Sequence, residues 1–69
     1  MNEEAAVIRA ERLIVRWWLL PNAGWSWLCV RDMCFGAAEL AMDERMYRVR
    51  ELLSDASTIA TMLHLETVA

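Results

Sequence analysis

The sequence predicts an all-α fold: a helical hairpin with a short first helix and a long second one, kinked or broken, giving two to three helices. Three observations predict it. Glycine and proline are scarce, two and one in 69 residues, and all but Gly36 fall in the segment Pro21-Asn22-Ala23-Gly24. Apolar residues before that segment recur at helical spacing. After it, an apolar position repeats every seven residues for six heptads, the period of a coiled-coil seam. No internal repeat or low-complexity tract interrupts the pattern.

The first helix is expected over 3–20. Asn2 can cap it, and Glu3 and Glu4 suit the positive end of its dipole. At about 100° per residue, Val7, Ala10, Leu13, Ile14, Trp17 and Trp18 share one broad face. Arg9, Arg12 and Arg16 form a basic stripe opposite. Ile8, Val15 and Leu19 make a second apolar stripe, set apart from the first by Glu4 and Glu11. A surface helix ordinarily has one apolar face. A helix with two needs two things to pack on, one of which can be a second chain.

A turn is expected at 21–24, where proline and glycine punctuate the chain. The next helix is expected over 25–53, followed by helix 55–66. Leu28, Phe35, Met42, Val49, Ala56 and Leu63 occupy one heptad position, and Arg31, Ala38, Arg45, Leu52, Ile59 and Glu66 the position three later. A dimer seam is therefore expected along Phe35, Met42, Val49, Leu52, Ala56, Ile59 and Leu63. Ser54-Asp55-Ala56-Ser57 resembles a capping cluster that would start a new helix. The apolar stripe nonetheless keeps its phase through it, and the two readings, continuous or broken at 55–58, stay open. Gly36, Ala37, Ala38 and Ala41 would admit the close approach of another helix. Glu44 and Arg48 stand at i,i+4 spacing, in the favourable orientation for an ion pair within one helix.

Composition adds an argument for association. The apolar fraction is 58%, against roughly 45–50% in soluble domains. A chain of this length buries only about 60% of its unfolded surface, and a core of that size supplies about 3–5 kcal/mol. The surplus points to a partner, and a second copy about a two-fold axis is the default.

No constellation for catalysis, cofactor binding or metal binding is expected. Cys29, Cys34 and His64 match no zinc spacing, and no acid is placed to orient the histidine towards a cysteine. The two cysteines, about 140° apart on a helix, are poorly set to pair, so reduced thiols and a cytoplasmic protein are expected. The start, Met1-Asn2-Glu3-Glu4, is acidic where a signal peptide is basic. The run 13–30 contains Arg16, Pro21, Asn22, Gly24 and Ser26, which argues against a membrane span. A net charge of −3 disfavours nucleic acid.

The groups left to meet a partner are the tryptophans Trp17, Trp18, Trp25 and Trp27 about the turn, the arginines Arg9, Arg12 and Arg16, and an acidic stripe of Asp32, Glu39 and Asp43. Tryptophan and arginine dominate interface hot spots, whereas an aromatic plug at the turn and a solvated acidic stripe are the purely structural accounts. The expected function is a helical protein-interaction module that regulates or inhibits a host protein. In its size and its lack of catalytic groups the chain resembles, in general type, phage-encoded inhibitors such as anti-CRISPR proteins; no motif carries that likeness. A subunit of a larger helical assembly and, against the charge, a small DNA-binding regulator are the alternatives.

Overall fold

Asn2 begins the first helix as expected: its Oδ1 accepts the Ala5 N–H at 2.7 Å. The structure, a computed structural model, describes residues 2–68. Helix α1 spans Glu3–Trp18, two residues short of the expected end. The chain then passes through a 3-10 turn at Leu20–Ala23, with Pro21 near its start and Gly24 closing it at φ 96°. The Trp25 N–H donates to Leu20 O across that turn. Helix α2 spans Trp27–Asp43 and starts later than residue 25 because Ser26 caps it, its Oγ accepting the Cys29 N–H at 3.3 Å. Helix α3 spans Tyr47–Val68. All described regular structure is helical, and the fold is all-α.

The expected long helix over 25–53 is interrupted at residues 44–46. Arg45 N–H donates to Met42 O and Met46 N–H to Ala41 O, the paired bonds of a Schellman stop, with Arg45 left-handed at φ 59°. That position usually holds glycine; arginine fills it here, so the stop carries no Gly or Pro signal. The Ser54–Ser57 cluster does not start a helix. It lies inside α3, where Ser57 Oγ donates to Arg31 O of α2 at 3.3 Å. Glu44 and Arg48 fall on opposite sides of the stop, and the one ion pair among the described residues is Arg31–Asp32 at 2.7 Å.

Helices α2 and α3 run antiparallel. Met42 faces Arg50 near their turn, Ser57 meets Arg31 midway, and Trp27 faces His64 at the far end. Helix α1 runs parallel to α3 and lies mainly against it, touching α2 less. One register point is a shared cap: the Glu3 carboxylate accepts the Arg48 N–H at 3.2 Å, satisfying a donor in the first turn of α3 and placing negative charge at its positive end.

Six of the ten buried apolar residues are alanines. Ala6, Ala10, Ala38 and Ala41 pack with Val49 and Leu53 at one end of the bundle. Ala56 and Ala60 pack with Val30 and Cys34 towards the other, under Ile14, Trp17, Trp18 and Trp27. Small side chains bring helices close but remove little apolar area each, and burial stabilises in proportion to area. The result is a slender molecule, 39 × 17 × 13 Å along its principal axes. It exposes 4943 Å², about a tenth more than the roughly 4,450 Å² of a compact monomer of this mass.

The expected close crossing at 36–41 is only partly present. Ala38 and Ala41 are buried, but Gly36 is exposed, with open space where a Cβ would stand.

Candidate interaction surfaces

Because α1 leans on α3, a wedge opens between α1 and α2. It forms a groove of about 580 Å³, walled by Leu13 of α1 and Ala37 and Leu40 of α2, with Val49 and Leu53 of α3 among the residues beneath. Leu40 is 67% exposed. Arg9 lines the groove from α1 and Glu44 from the end of α2, and no ion pair joins them among the described residues. The walls carry apolar side chains and the banks carry opposite charges.

A second surface is the outer side of α1. Ile8, Val15 and Leu19 are 48%, 65% and 61% exposed. At about 100° per residue they lie opposite the buried Ala6 and Ala10. This is the second apolar stripe expected of the sequence, and no helix of the chain covers it. Glu11 and Arg12 flank it.

The aromatic cluster divides unequally. Trp18 and Trp27 meet edge to face, ring centroids 5.3 Å apart, an arrangement that contributes about 0.5–1.5 kcal/mol beyond area. With Trp17 they close the second core cluster. Trp25 alone is exposed, in the short connection between the left-handed Gly24 and the Ser26 cap. A recess of about 420 Å³ beside it includes Pro21, Ser26, His64 and Thr67 in its lining.

Arg9, Arg12 and Arg16 are exposed on α1, and Asp32, Glu39 and Asp43 on α2. Asp32 is held by Arg31; the other two carboxylates stand in solvent. The expected seam does not form one face. Phe35 and Met42 are exposed beside Arg50 and Ser54, whereas Val49 and Ala56 are buried in the chain's own core, and Leu52 packs against it. Ile59 is exposed and Leu63 half-buried. The stop at 44–46 resets the helical phase, so counting by sevens joins residues that lie on different faces. Val49 and Ala56 cannot serve a second chain while this fold is kept, and Leu52 is already partly used by the chain's own core.

The two thiols sit apart in environment: Cys29 is exposed and Cys34 buried, with burial pushing the Cys34 thiol up. Among the described residues no group of three or more His, Cys, Asp or Glu side chains is placed to hold a metal ion, and no helix is long and apolar enough to cross a membrane. The groove was not singled out from the sequence. Its signal was Leu40, a leucine between Glu39 and Ala41 that fits neither the heptad stripe nor the acidic one. Comparisons with family models, curated proteins and solved structures find no match.

Proposed function

We propose that this chain is a non-catalytic, cytoplasmic protein-interaction module that self-associates and regulates or inhibits a host protein. The observation that carries the reading is the outer ridge of α1. Ile8, Val15 and Leu19 form an apolar stripe on the side away from the core, in a helix whose other face is already used for folding. Exposed apolar residues scattered singly are ordinary. Two on one line of α1 and a third at its C-cap, flanked by Glu11 and Arg12, make a helix-docking surface with an apolar centre and charged rim. Exposed Trp25 adds an aromatic anchor at the far end of the molecule.

The test is capture of the target from the native host with the wild-type chain and with Val15→Glu/Leu19→Glu. Both positions are exposed, so helicity should be unchanged and the captured protein lost. If the double variant retains the same protein as the wild type, the ridge is not the binding surface and the reading fails.

A further inference from the structure

The groove between α1 and α2 has the form of a self-complementary contact. Its upper walls, Leu13 and Leu40, stand over a floor that the chain has already dried, Leu53 being 3% exposed. Leu40 projects beside the depression, so each of two facing molecules offers both a knob and a hole.

Charge selects how two molecules would face each other. The α1 bank carries Arg9, with Arg12 and Arg16 on the same helix, and the α2 bank carries Glu44, with Asp43 beside it. Residues 6–13 of α1 and 37–44 at the end of α2 line the groove in opposite directions, so Arg9 and Glu44 lie within about one helical turn of each other along it, inside the reach of their long side chains. A two-fold axis lying across the helices would set α1 on α1 and α2 on α2, arginine bank against arginine bank and acid against acid. An axis running along the helices sets α1 of each molecule on α2 of the other, which brings Arg9 against Glu44 twice. Complementary banks fix register and suppress the wrong arrangement.

We propose that a second copy of this chain docks in the α1–α2 groove, about a two-fold axis parallel to the helices. Four helices, α1 and α2 of each molecule, then enclose Leu13, Ala37, Leu40 and Ala41, with the two α3 helices outside. The outer ridge of α1 stays free. The proposal rests on the self-association part of the interaction reading and specifies its surface.

The test is sedimentation equilibrium of the full chain across a concentration series, with circular dichroism as a check of folding. The wild type should weigh twice the 8.0 kDa of one chain. Leu40→Glu should be a folded monomer. Arg9→Glu or Glu44→Arg alone should raise the dimer Kd by about tenfold, since two exposed pairs turn from attraction to repulsion. The double variant Arg9→Glu/Glu44→Arg should restore wild-type association. A wild-type monomer, a Leu40→Glu dimer, an open-ended polymer, or a single charge reversal that tightens the dimer would each overturn the proposal. A monomeric wild type that still captures its target through Val15 and Leu19 would remove the dimer and leave target binding standing; a groove dimer that captures nothing would do the reverse.

Discussion

Replacing Arg45 by glycine separates a true stop at 44–46 from a continuous helix, because the two structures predict opposite signs. Arg45 holds φ 59°. A non-glycine residue in that left-handed region costs about 1–2 kcal/mol. Glycine relieves it but loses about 0.5–1 kcal/mol of backbone entropy on folding. The difference is a gain of about 0.5–1 kcal/mol for Arg45→Gly. Were 25–53 one helix, the same change would put glycine in a helix interior and cost about 1 kcal/mol relative to alanine. For a domain of this size each kcal/mol moves Tm by about 4–8 °C, so the outcomes lie several degrees apart on either side of wild type. The assay is thermal and urea denaturation followed by helical ellipticity at one fixed protein concentration, because self-association makes Tm concentration-dependent. A fall in Tm would refute the Schellman stop and restore the single long helix.

Gly36→Ala should raise stability by about 1 kcal/mol, since the site is inside α2 with nothing within 4 Å of the added methyl group; a lower urea midpoint would show that another helix crosses there. Leu53→Ala should cost about 3 kcal/mol and leave the chain largely unfolded, as Leu53 is a large side chain in an otherwise small-residue cluster; a cooperative unfolding transition at the wild-type midpoint would contradict that packing. A thiol reagent near neutral pH should modify Cys29 quickly and Cys34 slowly. Burial raises the Cys34 pKa, so less thiolate is present at a given pH, and its reaction should rise only at more alkaline pH or on unfolding. Equal rates in the folded protein would place Cys34 in solvent.

Where a side chain or a special backbone residue marks a boundary, the sequence shows it. Asn2 starts α1 and Pro21–Gly24 turns the chain, as expected, because capping oxygen, fixed φ and positive φ are properties of single residues. The stop after Asp43 is different. It is made by backbone bonds to Ala41 and Met42 with arginine in a glycine position, so composition gives no sign of it. From that omission followed the misplaced seam: the heptad count is arithmetic along the chain and does not register a turn. Val49 and Ala56 accordingly face inward while Phe35 and Met42 face solvent. Ser26 and Glu3 stand on opposite sides of that line. Ser26 is a local cap of the same kind as Asn2 and was legible as one, whereas Glu3 caps α3 across a separation of 45 residues, a contact only the tertiary fold creates. The outer stripe of α1 was legible because periodicity on one helix needs no knowledge of its neighbours. The groove was not, because it depends on how α1 leans.

Beneath both surfaces lies the proposal that a second copy of this chain covers the apolar groove left open between α1 and α2. The molar mass of the wild-type chain in solution, measured by sedimentation equilibrium from low to high concentration, tests it most directly. A groove dimer is a discrete species of twice the 8.0 kDa chain mass that dissociates only on dilution. A single species of 8.0 kDa at every concentration would contradict it.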